Sequence, residues 1–143
     1  MKISTKGRYG LRAVMDLCLN SSGDYVSLIS IAERQNISKN YLEQVFSSLR
    51  KTGIVKSVKG AQGGYLLNGK PSEISIGSIL RALEGDLSVV KEDTKGLNKM
   101  EICIKRNLWD KIDRKLYEII DSMTLEDLIN EYSKGSESIM YYI

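Results

Sequence analysis

The chain has no histidine, two cysteines and one proline in 143 residues. Without histidine it lacks the commonest general base and the commonest metal ligand, which argues against most hydrolytic and metal-dependent chemistry. Cys18 and Cys103 stand far apart, the pattern of reduced, unpaired cytosolic thiols and not of a disulfide framework. No apolar run reaches the roughly 18 residues of a transmembrane helix. The polar opening Met1-Lys2-Ile3-Ser4-Thr5-Lys6 is not followed by a signal-type apolar block, so the chain is expected to stay in the cytoplasm. The P-loop pattern is missing, and so is a GxGxxG opening a helix, which removes the usual nucleotide-binding readings.

Apolar residues make up 42% of the chain, enough to bury a core without disulfides. The net charge of +3 is unevenly spread. Residues 1–70 hold eleven Lys or Arg against four Asp or Glu, a balance of +7, while residues 71–143 hold ten against fourteen, a balance of −4. A basic half joined to an acidic half points to nucleic acid as the partner of the first, although a basic solvated face without a partner would look the same.

Ile3 to Leu19 reads as a helix, with Tyr9, Leu11, Ala13, Val14, Leu17 and Cys18 mostly three or four apart. Ser27 is an N-cap candidate for a helix over about 28–35, and Ser38 for another over about 39–52, with Gly53 as a C-terminal stop. The turn Asn36-Ile37-Ser38 between them is short, as in a helix-turn-helix unit. Ile54-Val55-Lys56-Ser57-Val58 then alternates like a strand, Lys59-Gly60-Ala61-Gln62-Gly63-Gly64 reads as a turn, and Tyr65-Leu66-Leu67 returns. Strand, basic glycine loop and strand after such a helix pair is the layout of a winged helix.

Ile74 to Leu83 reads as a further helix capped by Ser72 or Ser75. Residues 85–100 show no stable periodicity and read as a loop. Asn107 to Met123 is a long amphipathic helix carrying Trp109, Ile112, Leu116, Ile119 and Ile120, and its wide apolar face suggests a dimer seam. A short helix over 125–132 follows, with Asp127 at N3 of a loose capping box begun by Thr124. The expected fold is therefore mainly α with a small β-wing. It comprises a winged helix-turn-helix over 1–84 (helix pair about 28–51, wing about 54–68) and a loop or regulatory region over 85–106. A dimerisation helix and short helix over 107–132 and a tail over 133–143 complete it.

The start of the third helix carries the clearest chemistry. Lys39, Asn40, Glu43 and Gln44 fall opposite Leu42, Val45 and Phe46. Asn and Gln pair with adenine, Glu accepts from cytosine and Lys reaches guanine, so this face suits base edges in a major groove. An ordinary solvated helix face is the bland alternative, and the wing behind it weighs against that. At the wing tip, glycines allow close backbone approach to phosphates and Lys59 can edge a minor groove. A protein-interaction module and a redox or iron–sulfur sensor are the readings from other classes. Glu126, Asp127 and Glu131 read as solvated helix charges.

The opening Met1-Lys2-Ile3-Ser4-Thr5-Lys6-Gly7-Arg8-Tyr9-Gly10-Leu11-Arg12-Ala13 resembles that of the Rrf-two family of transcription regulators (the IscR, CymR and NsrR group). So do Tyr41-Leu42-Glu43-Gln44 and Ser57-Val58-Lys59-Gly60-Ala61-Gln62-Gly63-Gly64-Tyr65. The resemblance is strong over 1–84 and weak over 102–132. It implies a homodimeric, non-enzymatic binder of double-stranded DNA, several members being repressors. It further implies that Ser38, Tyr41, Glu43 and Gln44 face the major groove, that Lys59 is the basic wing residue, and that Lys2, Thr5, Arg8 and Tyr9 lie near the DNA backbone.

Some members hold an iron–sulfur cluster on three closely spaced cysteines before the long helix. Cys103 resembles the last of these, Arg106 stands where a histidine ligand can occur, and Gly85 to Ile102 contains no cysteine. One thiolate per chain falls short of a cluster's ligand set, so no cluster or metal is expected and Cys103 reads as a redox-sensitive thiol. A cluster-free member is most similar to the family's cysteine-metabolism regulators of Gram-positive bacteria. That similarity implies a sensing partner, cysteine synthase (O-acetylserine thiol-lyase).

Overall fold

Four serines set the frame of the N-terminal half. The computed structural model describes residues 1–60, 63–91 and 95–142, with side chains through residue 135. Helix α1 covers Thr5–Asn20 and is capped by Ser4, whose hydroxyl accepts from Gly7 N at 3.3 Å, so Ile3 lies before the helix and not inside it. Ser27 caps α2 (Leu28–Gln35) by accepting from Ser30 N at 3.2 Å. Ser38 caps α3 (Lys39–Lys51) by accepting from Tyr41 N at 3.1 Å. Each satisfies one backbone donor that a helix start otherwise leaves orphaned. Between α2 and α3, Asn36 adopts φ 54°, a left-handed conformation asparagine tolerates, and the buried Ile37 pins the turn. Gly53, at φ 81°, carries the chain out of α3.

The wing pairs β1 (Val55–Val58) with β2 (Gly64–Leu67) antiparallel, in register from Val55 opposite Leu67 to Val58 opposite Gly64. The segment Tyr25-Val26 adds a third edge: Val26 and Tyr65 exchange two N–H···O bonds of 2.9 Å. The wing thus leans back against the entry to α2. The tip residues Ala61 and Gln62 lie outside the described residues.

After a 3-10 turn at Pro71–Glu73, α4 runs from Ile76 to Glu84. Of the two cap candidates Ser75 fills the role, accepting from Ser78 N at 3.0 Å. Helices α1 to α4 and the wing share one core, in which Leu42, Val45, Phe46 and Leu49 of α3 are fully buried. Burying a side chain of this kind stabilises the fold by about 1.5–3 kcal/mol. Phe46 also meets Tyr65 of the wing, ring centroids 4.8 Å apart at 54°. Gly10 lets α4 approach α1, because a Cβ there would fall 2.5 Å from Leu83 Cδ1.

The C-terminal half departs from expectation in two places. The loop expected up to residue 106 ends at Asn98, which opens α5 (Lys99–Ile104) with a full capping box to Glu101. A π-helical turn, Lys105–Trp109, joins α5 to α6 (Asp110–Ser122), so one long helical run replaces the expected start at Asn107. The short helix and patternless tail expected after Thr124 are a single helix, α7, from Leu125 to Tyr142. Thr124 and Asp127 do form a capping box, with bonds of 2.9 and 3.1 Å. The side chains of Tyr141 and Tyr142, and Ile143 altogether, lie outside the described residues. Ile76 N to Met123 O and Leu125 N to Ile74 O, both 2.8 Å, tie the α6–α7 junction to the start of α4. Among the described residues no helix is long and apolar enough to cross a membrane.

Candidate nucleic-acid interface

The start of α3 presents a polar face to solvent. Lys39, Asn40, Glu43 and Gln44 are all exposed, while Leu42, Val45 and Phe46 on the opposite side are buried. Lys39 Nζ lies 3.7 Å from Glu43 Oε1, an exposed pair that holds little energy and opens readily. Asn40 and Gln44 have side-chain amides free of hydrogen bonds within the described residues. Such amides can offer a donor and an acceptor together, as bidentate contact with adenine requires. Ser38 is exposed but its hydroxyl is engaged in capping. Tyr41 is half-buried in a T-shaped contact with Tyr9, ring centroids 6.1 Å apart at 76°, which props α3 on α1.

The N-terminal helix meets α3 through Tyr9 on Tyr41 and Lys6 on Ser48. Lys2, Thr5 and Arg8 are exposed, and Arg8 Nη2 donates to Thr5 Oγ1 at 3.2 Å. Tyr9 lies under two guanidinium groups, Arg8 at 5.8 Å and Arg12 at 5.2 Å from its ring centre. Ser4 is anchored to the end of α4: Glu84 Oε1 accepts from its N at 2.8 Å and its hydroxyl at 2.6 Å. This anchor fixes where Lys2 and Thr5 emerge. Lys6 Nζ donates to Ser48 Oγ at 2.8 Å and so joins α1 to α3. Lys59 is exposed at the end of β1, where the wing leaves the core.

Sequence reasoning missed the clamp that orients α2. Asp16, on the otherwise apolar face of α1, is 3% exposed. Its carboxylate accepts from Arg34 Nη2 at 2.7 Å, from Arg34 Nε at 3.0 and 3.1 Å, and from Gln35 Nε2 at 2.9 Å. Arg12 Nη2 adds a bond to Gln35 O at 2.6 Å, covering the end of α2. An acid in an apolar stripe was the available signal, but nothing local in the sequence points to a partner eighteen residues on.

The expected dimer seam divides between two surfaces. Ile120 is 8% exposed and packs in the core of its own chain, with Leu116 half-buried against that core. Trp109 is half-buried and lines a cavity. Ile112 and Ile119 do face outward, Ile119 at 60% exposure, together with Leu108. Within α6, at 100° per residue, Ile112 and Ile119 fall within about 20° of one another. The physical reason is that α6 is apolar over a wide arc: one edge packs on α4 and the other is left open.

The two thiols differ. Cys103 is exposed on α5, with Asn107 Nδ2 donating to its carbonyl at 2.8 Å and lying 3.6 Å from its sulfur. Cys18 is half-buried in α1, where burial and the charge of Glu126 push its thiol pKa up, disfavouring the reactive thiolate. Iron–sulfur ligation does not fit these donors. The chain has no histidine, its cysteines sit on separate helices, and among the described residues no three His, Cys, Asp or Glu converge as a metal site.

A helix pair with a short turn, a paired wing behind it and a solvent-facing polar start to the second helix define a winged helix-turn-helix transcription regulator. The Rrf2 family, described as an iron-dependent transcriptional regulator, matches residues 3–131, and the chain belongs to it. The transcriptional regulator CymR of Bacillus subtilis (strain 168) is 46% identical over 145 aligned positions, covering all of both chains. IscR of Pectobacterium carotovorum is 37% identical over 131 positions, covering 91% of this chain and 80% of the relative. The solved structure of CymR, the global cysteine regulator of B. subtilis, superposes with a TM-score of 0.77 at 44% identity. That match covers 92% of this chain and 98% of the other.

Proposed function

We propose that this regulator is a cytoplasmic, non-enzymatic homodimer that binds a palindromic operator in double-stranded DNA and represses genes of cysteine and sulfur metabolism, without an iron–sulfur cluster or other metal. The observation that carries the DNA reading is the exposed row Lys39, Asn40, Glu43 and Gln44 at the start of α3, in a basic N-terminal half whose Lys2, Arg8 and Lys59 are also exposed. Glu43 and Gln44 read base edges, Asn40 and Lys39 assist, and Ser38 and Tyr41 approach the groove from the cap. Lys2, Thr5, Arg8 and Tyr9 contact the backbone. Two copies meet through the outer stripe of Leu108, Ile112 and Ile119, and a two-fold reader of this kind takes half-sites about one helical turn of DNA apart. The missing cluster ligands and the 46% identity to CymR support a cluster-free regulator in the cysteine branch, with cysteine synthase as sensing partner and Cys103 as a redox-sensitive thiol.

The test is a salt titration of binding to duplex from the protein's own promoter region and to random duplex, with and without purified cysteine synthase. Selective binding that falls steeply with salt, and shifts when the enzyme is added, is the expected result. Binding without preference for any promoter fragment contradicts the operator reading. Selective binding that ignores the enzyme removes the partner alone.

A further inference from the structure

One cavity has no residue of α1, α2, α3 or the wing in its lining. It occupies about 1040 Å³ between the segment after α4 and the helical run α5–α6, at the upper end of the size range of small-molecule sites, about 300–1,000 Å³. Two features set it apart from a surface crevice. First, it is walled by the π-helical turn, both ends of which, Lys105 and Trp109, line it. Turns of this kind interrupt a helix at a cost and recur at functional sites. Second, its charges are of both signs and several are held in place.

Asp86 accepts from Ser88 N at 3.0 Å and Ser88 Oγ at 2.7 Å, and these bonds hold its carboxyl below the usual carboxylate range, so it stays ionised. Asp113 accepts from Val89 N at 2.8 Å. Both carboxylates keep lone pairs unused by these bonds. Lys105 and Asp110 neutralise each other at 2.8 Å. Glu101 is taken up by the cap at Asn98. Arg114, in the cavity wall, has no carboxylate partner among the described residues. Trp109 and Tyr117 supply aromatic wall, and Tyr117 is braced by Arg81 over its ring at 5.1 Å. Cys103 is not in the lining.

This balance discriminates between ligand classes. A simple anion would meet the fixed carboxylates of Asp86 and Asp113, and a simple cation would meet Arg114 and Lys91. A small molecule carrying both signs satisfies each set. We propose that this cavity is a binding site for a small zwitterion of the α-amino-acid class, its carboxylate taken by Arg114, its ammonium by Asp86 and Asp113, and its side chain laid against Trp109 and Tyr117. Arg114 is suited to this because its guanidinium holds a carboxylate through two parallel bonds.

Trp109 is the only tryptophan in the chain, so tryptophan fluorescence comes from a residue of this cavity's wall. The full-length protein, without DNA, is titrated with free L-amino acids one at a time, and with the N-acetyl and carboxamide forms of any that respond. Isothermal calorimetry repeats each measurement independently of the fluorophore. At least one free amino acid should give a saturable change. Removing either its charge or the arginine, as Arg114→Ala, should weaken it at least about tenfold. Arg114→Ala should keep its far-ultraviolet circular dichroism, since the side chain is exposed. No saturable response by either method overturns the proposal. So does equal binding of the carboxamide, or undiminished binding by Arg114→Ala. Because no DNA is present, none of these outcomes bears on the operator reading.

Discussion

Replacing Arg34 with alanine leaves the Asp16 carboxylate inside the α1–α2 interface with Gln35 as its remaining side-chain donor. Three of the carboxylate's four side-chain contacts, between 2.7 and 3.1 Å, disappear together. Removing one partner of a buried ion pair costs about 3–5 kcal/mol, because the other charge stays behind. Arg34 is 38% exposed, so water takes over part of its place, and we expect about 2–3 kcal/mol. For a chain of this size that lowers Tm by roughly 6–12 °C. Thermal unfolding by circular dichroism measures it. The double variant Asp16→Leu/Arg34→Met, which removes both charges and keeps the volume, should recover most of the loss. Below the new Tm, Arg34→Ala should still prefer operator over random duplex, since Arg34 lies off the reading face. A loss under about 1 kcal/mol, the worth of one ordinary hydrogen bond, would refute the clamp.

Lys59→Ala should weaken binding to every duplex alike and reduce the slope of log affinity against log salt by about 1, read from titrations at several salt concentrations. Ile119→Glu should raise the dimer dissociation constant about thirtyfold or more in sedimentation equilibrium while leaving the monomer folded, since Ile119 is 60% exposed. Arg81 binds Asp121 at 2.6 and 3.0 Å and holds its carboxyl below the usual carboxylate range. A group depressed in the folded state stabilises above its unfolded pKa, about 3.9, and that contribution is lost as pH falls through the lower folded value. Asp121→Asn should therefore flatten the acid side of the stability profile and leave pH 7 to 9 parallel to the parent.

The helix-turn-helix and wing were legible because every boundary carries local chemistry. Ser27 and Ser38 cap, Gly53 turns, and a glycine-rich basic stretch beginning at Lys59-Gly60 separates the two apolar wing strands. Helix α5 was hidden because Met100, Ile102 and Ile104 alternate with charged or small residues at a period nearer 2 than 3.6, and all three are exposed. The signal that could have found it was Asn98 with Glu101 three residues on. The extension of α7 runs through Ser133, Gly135, Ser136 and Ser138, weak helix formers that masked it. For α6 the periodicity gave an apolar face but not its neighbours, which is why Ile120 read as seam although it packs in the core of its own chain. The reading face of α3 was legible as residue types, whereas the anchors that aim it, Glu84 on Ser4 and Arg34 on Asp16, join residues distant in sequence.

The central claim is that the start of α3 reads bases, and Gln44→Ala tests it most directly. Its affinity is compared with that of the parent on the operator, on variants substituted at each half-site position, and on random duplex, at one salt concentration. We expect a loss of about 1–3 kcal/mol on the operator, relaxed discrimination at one position per half-site, and unchanged affinity for random duplex. An equal loss on every sequence would show that Gln44 contacts only the backbone and would contradict the account.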